Sequence, residues 1–266
     1  MSTTPTLESA AAPRLGRVGL RGLSVDVGPP HARVAAFDGL DLDVGAGQFV
    51  CVLGPSGCGK STLLAAIAGH LAASHGQVQV DGVPVDRPHP ERGLVFQQHT
   101  LFPWKRVVDN VAFGLKVQGI GATARRREAR ELLELVGLAG YESHYPAQLS
   151  GGMQQRVEIA RVLINRPRVL LMDEPFAALD AQTRKKMQTL LLDVWSKIRT
   201  TVIFVTHDIE EALFLGERIV MLSRQPARIV ADIDVPFKRP RTDEGTLAPA
   251  FLDLKRRCLA LLRDAA

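Results

Sequence analysis

The stretch QFVCVLGPSGCGKS, residues 48–61, decides the fold of this chain. Its first part, QFVCVL, is short and almost wholly apolar, which is typical of a strand covered on both faces. Its second part, GPSGCGKS, matches the pattern GxxxxGK[ST], and the small and apolar residues that follow up to Gly69 suit a helix. A strand, a glycine-rich loop and a helix in this order predict a loop that holds a phosphate group.

The residue types of this loop suit a nucleoside triphosphate. Glycines let backbone N–H groups turn inward around a phosphate, and the helix N-terminus adds positive potential. Lys60 is expected to reach the β- and γ-phosphates as a point charge, and the Ser61 hydroxyl is expected to bind Mg²⁺. The predicted nucleotide-binding residues share this loop and the first helical turn, and they are Gly54, Pro55, Ser56, Gly57, Cys58, Gly59, Lys60, Ser61 and Thr62.

A second apolar run, VLLMDE (169–174), ends in two carboxylates. Asp173, at the carboxyl end of a predicted strand, is placed to hold Mg²⁺, whereas Glu174 is free to polarise an attacking water. Acidic residues at strand ends are common, so this run indicates a nucleotide site only because a phosphate-binding loop precedes it in the chain. The pair predicts that one carboxylate binds the metal and the other acts on the attacking water as a base.

The segment LSGGMQQR (149–156) opens a predicted helix with a serine cap and two glycines. Such an N-terminus offers unpaired N–H groups to an anion. A helix start with a flexible cap explains the same residues when they are taken alone. The segment is therefore a candidate second phosphate site.

Composition sets outer limits. The 266 residues are 46% apolar and carry a net charge of +5, which allows one or two domains and excludes disorder over most of the chain. Because the basic residues are scattered, they do not show whether the chain binds small anions, an acidic membrane or nucleic acid. Cys51, Cys58 and Cys258 fit neither a disulfide framework nor a metal site, so we expect buried thiols in a reducing compartment.

The sequence predicts neither a membrane-spanning segment nor a secretory signal. No run approaches the roughly 20 apolar residues that cross a bilayer. The start of the chain has no hydrophobic segment of the kind found in secretory signals, and residues 1–16 are interpreted as a disordered tail. These features predict a soluble, cytoplasmic chain.

Periodicity places the motifs in a larger order. The first ~90 residues combine antiparallel strands, including an Asp-Gly hairpin at 77–82, with the strand–loop–helix unit. Residues of roughly 100–155 form a predicted helical insert, after which strands and helices alternate from 168 to 222. Leu254, Cys258 and Leu261 mark an amphipathic helix in a C-terminal extension, 239–266.

Together these motifs resemble those of the ATP-binding-cassette (ABC) ATPases. LSGGMQQR is similar to the family signature and precedes VLLMDE by the familiar interval. Gln97 in LVFQ resembles the Q-loop glutamine, Asp180 in ALD the D-loop aspartate, and His207 after TVIFVT the switch histidine. The resemblance covers nearly the whole chain from about 17 to 222. It implies an α/β fold, with a P-loop NTPase core of ABC type, an antiparallel β subdomain and an inserted helical subdomain, in a nucleotide-binding domain over 17–238.

The resemblance also implies ATP hydrolysis with ATP and Mg²⁺ as cofactors. The implied residues are catalytic Gln97, Glu174 and His207, metal-binding Ser61, Gln97 and Asp173, and D-loop Asp180. Two copies of the chain would enclose two ATP molecules head to tail. The signature residues of one copy, Ser150, Gly151, Gly152 and Gln154, would then cap the γ-phosphate held by the other.

A finer resemblance concerns the importer branch. FQQHTLFPW (96–104), DNVAFGL (109–115) and EPFAALD (174–180) are similar to nitrate, sulfonate and taurine importer ATPases, and MQTLLL (187–192) is especially similar to those of taurine import. This implies two transmembrane permease subunits, a solute-binding protein, no nucleic acid, and a peripheral place on the cytoplasmic face of the bacterial inner membrane. The segment 99–104 is expected to dock the permease, and burial of its aromatic residues within the helical insert is the alternative.

Other classes of protein fit less well. A small-molecule P-loop kinase shares residues 54–61 but does not use the signature together with His207. A soluble cassette ATPase of DNA repair or translation would need a long coiled-coil insertion or tandem cassettes. A catalytically dead cassette is expected to lack Lys60, Glu174 or His207, and all three are present. Among importers, aliphatic sulfonate or nitrate is the runner-up to taurine.

One departure from the family concerns the base. Related cassettes place an aromatic residue in the first β segment, stacked on adenine, whereas Val27 stands there in this chain. Phe37 is the nearest aromatic residue, and whether it replaces the missing ring is open. With only apolar contact to the base, we expect moderate ATP affinity and weak discrimination between ATP and GTP.

Overall fold

The computed structural model describes residues 16–29, 31–98, 100–242 and 244–264. His99 and all but the last residue of the predicted N-terminal tail lie outside these ranges. In the described part, the strands are β1 Val18–Val27, β2 Val34–Val44, β3 Phe49–Leu53, β4 His75–Val80, β5 Val83–Pro84, β6 Arg92–Val95, β7 Val169–Asp173, β8 Thr201–Val205, β9 Arg218–Leu222 and β10 Ile229–Asp234. The helices are α1 Lys60–Ala68, α2 Val107–Val111, α3 Phe113–Val117, α4 Ala122–Leu135, α5 Gly151–Leu163, α6 Ala181–Ile198, α7 Ile209–Leu215 and α8 Pro249–Asp264.

The strands form two sheets with different pairing. The larger sheet has the order β10-β9-β3-β8-β7-β6, and all its neighbours are parallel except β10 and β9. The smaller sheet has the order β2-β1-β4-β5 and is antiparallel. The predicted fold class, a mixed α/β core with an added antiparallel sheet, is confirmed. The predicted Asp-Gly hairpin is also present, because Val80 pairs with Val83.

The larger sheet is covered on both faces, as the apolar run of β3 predicts. All five residues of β3 are buried, and alternate side chains belong to different apolar clusters. Val50 and Val52 pack with Leu63 and Ile67 of α1 on one face, while the other face packs against α5, α6 and α7. This packing holds helix α1 against the sheet and so positions the loop that precedes the helix.

Residues 107–163 carry the predicted helical insert, as helices α2 to α5. The apolar repeat from Val108 to Leu115 falls on two short helices rather than one, with the break at Ala112. The sequence reasoning missed β6 and β10. Both strands are short and lie at the edges of the larger sheet, where half-exposed residues replace the continuous apolar run of a central strand.

The C-terminal amphipathic helix is present as α8. It buries Phe251 and Cys258, and the Lys255 ammonium lies 2.6 Å from a Glu210 carboxylate oxygen on α7. Cys51, Cys58 and Cys258 are buried free thiols, as expected. None of the helices in the described ranges is long and apolar enough to cross a membrane.

Candidate active site

The phosphate-binding loop lies between the end of β3 and the start of α1. Gly57 and Gly59 have positive φ values of 77° and 104°, in the region that favours glycine. A Cβ on Gly59 would lie 3.0 Å from Cζ of Phe37. Only glycine satisfies both the backbone conformation and the space at residue 59.

The Lys60 side chain is folded over this loop. Its Nζ donates hydrogen bonds to the carbonyl oxygens of Gly54 and Pro55, each at 2.9 Å, and the residue is only 6% exposed. Ser61 is exposed and Thr62 is half-buried in the same helical turn. The loop thus has a cation and helix N–H groups in one place, an arrangement that suits a phosphate.

The structure answers the question about Phe37. Its ring is fully buried beneath the loop, and its backbone forms an isolated bridge with Ala227. A ring in this position supports Gly59 and is not available to stack on a base. Val27, the residue found where the family has an aromatic ring, is half-buried at the end of β1.

Asp173 ends β7 and is half-buried. Burial raises the pKa of its carboxyl group, and a hydrogen bond from the Ser61 side chain partly opposes this rise. A buried carboxylate next to a hydroxyl provides the hard oxygen ligands that Mg²⁺ prefers. These two residues therefore fit the cation that the family uses, and its charge would offset the cost of burying Asp173.

Glu174 and His207 are brought together from two adjacent strands. The His207 Nδ1 lies 2.9 Å from the Glu174 carboxylate. Glu174 has a φ of +42°, and its backbone N–H donates to the Val205 carbonyl oxygen at 3.0 Å. A positive φ costs energy for a residue other than glycine, and such strain is concentrated at functional sites.

Gln97 follows β6 by two residues and is exposed. Because Val95 of β6 pairs with Met172 of β7, the Gln97 loop leaves the sheet beside the Asp173–Glu174 loop. The strands β3, β8, β7 and β6 are parallel neighbours, so the loops that carry Lys60, His207, Glu174 and Gln97 leave the same edge of the sheet. The structure therefore gathers these predicted residues at one edge.

The signature residues form a second, more open turn. Ser150 is the N-cap of α5, as predicted, and its hydroxyl accepts from the Met153 N–H at 3.4 Å. Gly151 is exposed, and a Cβ on Gly152 would lie 2.6 Å from Thr183. The Gln154 amide donates to the carbonyl oxygens of Pro146 and Leu149. Gln154 thus shapes the turn within its own chain.

Asp180 is the N-cap of α6. Its side chain accepts from the Thr183 N–H at 3.0 Å, and hydrogen bonds from Thr183 lower the pKa of its carboxyl group. Thr183 also faces Gly152, so the D-loop residue and the signature turn are neighbours.

The predicted docking loop has both buried and exposed apolar side chains. Leu101 is buried and Phe102 is half-buried, with the Phe113 ring 4.7 Å and the Arg161 guanidinium 4.2 Å from its ring centroid. Trp104 is 71% exposed. The buried Asn110 side chain holds the loop through the backbone N–H and carbonyl of Phe102. Hydrogen bonds from Asn110 thus hold the backbone at Phe102, and within residues 100–104 the large side chain most exposed to solvent is that of Trp104.

Sequence reasoning missed a buried polar cluster behind His207. Glu211 and Gln188 are each 6% exposed and Thr206 is 2% exposed, and the three side chains are hydrogen-bonded. Gln188 belongs to the MQTLLL segment, whose sequence indicates only a resemblance to taurine import ATPases. A polar residue at a buried position of an amphipathic helix was the available signal.

Known proteins resemble this chain over most of its length. The profile of the family described as ABC transporter matches residues 37–177. The chain is 48% identical over 236 residues to the taurine import ATP-binding protein TauB of Rhizobium johnstonii, which covers 87% of this chain and 90% of that protein. It is 49% identical over 232 residues to the uncharacterized ABC transporter ATP-binding protein MJ0412 of Methanocaldococcus jannaschii, covering 87% and 86%.

A solved structure shows the same fold. The dimeric, post-hydrolysis ATP-binding cassette MJ0796 bound to ADP and Pi aligns with a TM-score of 0.73 and 33% identity, over 83% of this chain and all of that one. The chain therefore belongs to the ABC transporter family, as an ATP-binding subunit with ATPase activity.

Proposed function

We propose that this chain is the ATPase subunit of an importer that takes up taurine or a related sulfonate through a membrane permease. Relatives from Rhizobium and Burkholderia that carry the name taurine import ATP-binding protein are 48–49% identical over most of the chain. The Glu174–His207 contact beside the phosphate-binding loop carries the enzymatic part of the proposal.

Binding of ATP begins at the loop between β3 and α1. The Lys60 ammonium exchanges its bonds to the Gly54 and Pro55 carbonyls for phosphate oxygens. Residues Ser61, Asp173 and Gln97 would hold Mg²⁺, which neutralises phosphate charge when bound. Asp173 is suited to this role because its carboxylate is half-buried beside the Ser61 hydroxyl.

Hydrolysis uses the pair from β7 and β8. The Glu174 carboxylate polarises the attacking water and accepts its proton. The His207 imidazole, 2.9 Å from that carboxylate, orients Glu174. The strained backbone of Glu174 and its hydrogen bond to the Val205 carbonyl fix the start of this side chain.

The signature turn acts on the nucleotide of a second copy of the chain. Ser150 and Gly151 are exposed, and the turn lies next to Asp180 at the start of α6. A γ-phosphate held by one copy would attract the helix N-terminus of the other copy, and loss of that phosphate would release it. The dimeric form of the related cassette MJ0796 supports this assembly.

Coupling to transport would use the loop that ends in Trp104. An exposed tryptophan seven residues beyond Gln97 suits a partner surface such as a permease. In this proposal the chain is a peripheral subunit on the cytoplasmic face of the bacterial inner membrane, and a binding protein delivers the solute. Trp104→Ala should abolish assembly with the permease and leave ATP binding unchanged, whereas Leu247→Ala, at an equally exposed residue, should change neither.

The substrate is tested in the reconstituted complex. The chain, its permease and its solute-binding protein are placed in vesicles, and ATPase activity is measured with taurine, an aliphatic sulfonate and nitrate. We expect stimulation by taurine that a Lys60→Ala complex does not show. Stimulation by nitrate or an aliphatic sulfonate instead would assign the chain to the alternative importer, and normal coupling of Trp104→Ala would remove that residue from docking.

A further inference from the structure

The position of His207 depends on groups other than its own ring. The His207 side chain is 63% exposed, so packing does not hold it beside Glu174. The residues on either side of it are anchored instead. The Thr206 N–H donates to the Val52 carbonyl oxygen at 3.2 Å, and the Thr206 hydroxyl accepts from the Asp208 N–H at 3.0 Å. Thr206 therefore anchors the loop that carries His207.

Thr206 is fixed in turn by Glu211. Its hydroxyl donates to one oxygen of the Glu211 carboxylate at 2.6 Å, and the other oxygen accepts from the Gln188 amide at 2.9 Å. All three side chains are buried, where each bond is stronger than in water and an unpaired polar group is costly. The cluster thus connects α6, α7 and the His207 loop.

A second connection runs parallel to the first. Arg184 lies one helical turn before Gln188 on α6, so both residues share a helix face. Its guanidinium lies 3.8 Å from the Asp208 carboxylate and also donates to the Leu179 carbonyl oxygen at 3.0 Å, next to Asp180. Helix α6 is therefore linked at one end to the D-loop and along its side to the His207 loop.

We propose that Glu211, with Gln188, is a positioning residue that holds the His207 loop against α6 and so keeps His207 beside Glu174. This inference rests on the proposed roles of Glu174 and His207. It also gives a physical reason for the glutamine in MQTLLL, since the Gln188 amide is the group that reaches Glu211. A displacement of α6 at the D-loop would be passed through the same cluster to His207.

The test compares variants of the full-length chain. Glu211→Leu should lower kcat about tenfold and leave KM for ATP unchanged, because the phosphate-binding loop is intact. Glu211→Gln keeps an acceptor for Gln188 and should stay within about twofold of the wild-type kcat. Glu210→Gln, the same chemical change on the adjacent residue, should have no effect because Glu210 faces Lys255 on α8.

Two further variants separate positioning from folding. In Gln188→Leu with Glu211→Leu, two of the three polar partners become apolar and only the Thr206 hydroxyl is left without its carboxylate acceptor, so the thermal midpoint should lie above that of Glu211→Leu alone. The low kcat should nevertheless persist, and the NMR signal of the His207 imidazole should move toward its position in Glu174→Gln. Thr206→Val removes the same link by a change of one group, and it should give the same kcat and the same NMR shift.

The outcomes distinguish this inference from the function on which it rests. His207→Ala is measured beside these variants and should lose about 100-fold in kcat. If His207→Ala turns over like the wild type, the proposed role of His207 fails and the positioning role fails with it. If His207→Ala is slow but the Leu double variant and Thr206→Val keep wild-type kcat and an unmoved His207 signal, the positioning role alone is overturned.

Discussion

The phosphate-binding loop and the signature turn are both proposed to contact an anion, and they are built differently. The phosphate-binding loop is partly buried, has two glycines with positive φ and holds the Lys60 ammonium against its own carbonyls. In the signature turn Ser150 and Gly151 are exposed, and the Ser150 hydroxyl caps helix α5 through one bond of 3.4 Å. The first turn combines a cation with helix N–H groups, whereas the second offers mainly the N-terminus of α5.

This difference indicates which turn can bind a phosphate within a single copy of the chain. A site with a buried cation and preformed backbone can bind ATP within one chain. An exposed helix N-terminus contributes only a modest favourable term to a nearby anion, typically 0.3–1 kcal/mol at a surface. We therefore expect the signature turn to act on a phosphate that another copy already holds.

The largest expected effects come from changing one residue in each turn. Lys60→Ala should abolish ATP binding, because the phosphates lose their cation. Ser150→Arg should abolish hydrolysis and leave ATP binding by the monomer intact, because the signature turn acts on the nucleotide of the other copy. Isothermal titration with ATP and a phosphate-release assay measure the two properties separately.

Mixing the two variants is the control for this pair. A mixed dimer should restore at most one working site, because only one interface then combines an intact loop with an intact signature. If Ser150→Arg monomers lose ATP affinity as severely as Lys60→Ala monomers, the head-to-tail arrangement is contradicted.

Alanine at one glycine of each turn should differ in its effect on folding. Gly59→Ala places a side chain at a φ of 104° and 3.0 Å from the Phe37 ring, so it should lower the free energy of unfolding by about 1–3 kcal/mol and weaken ATP binding. At Gly151 the nearest atom to a new Cβ is 4.0 Å away. Gly151→Ala should keep wild-type stability while slowing hydrolysis. Equal destabilisation in urea unfolding would contradict the contrast between the two turns.

The two acidic residues beside these turns should respond to pH in opposite ways. The folded pKa of Asp173 is raised by burial, so its ionised form opposes folding above the unfolded pKa. Asp173→Asn should therefore raise the melting temperature by about 2 °C at pH 7, and the gain should vanish as pH falls below the unfolded pKa. The folded pKa of Asp180 is lowered by Thr183, so its stabilisation is present at pH 7 and is lost in acid.

The matching change at the signature side is Asp180→Ala. It removes the cap of α6 and should lower the melting temperature at pH 7, with a smaller effect in acid. Calorimetry at pH 7 and at about pH 2.5, below the ordinary Asp pKa of 3.8, measures both variants. A fall in melting temperature for Asp173→Asn at pH 7 would show that burial of this carboxylate does not oppose folding.

The smallest expected effect concerns the base rather than the phosphates. Val27→Tyr adds a ring where the family stacks adenine and should tighten ATP binding severalfold, with less gain for GTP. Phe37→Ala should instead destabilise the fold, because that ring is buried under Gly59. Competition titration with ATP and GTP tests the first expectation. No gain for Val27→Tyr would mean that the base does not lie against β1.

Much of this site follows from local sequence. The phosphate-binding loop, the carboxylates after β7 and the Ser150 cap each depend on a few consecutive residues, so the pattern alone predicts their structure. The contact between Glu174 and His207 depends on the pairing of β7 with β8, which the order of motifs suggests only through the family resemblance.

Other features needed the tertiary structure. Phe37 is apolar in a strand, and no local pattern distinguishes a ring beneath the loop from a ring beside the base. Gln188 and Glu211 are 23 residues apart on different helices, so their bond is absent from any local motif. The strands β6 and β10 were missed because edge strands have weak apolar patterns.

The most direct test of the central claim is a size-exclusion experiment on Glu174→Gln with Mg-ATP. The carboxylate that we propose polarises water is lost while Lys60, Asp173 and Ser150 remain, so ATP should bind, hydrolysis should fall by about 10²–10⁴-fold, and a dimer should persist. Adding Ser150→Arg to this variant should return the chain to a monomer that still binds ATP. Wild-type turnover by Glu174→Gln, or an ATP-dependent dimer that survives Ser150→Arg, would contradict the account.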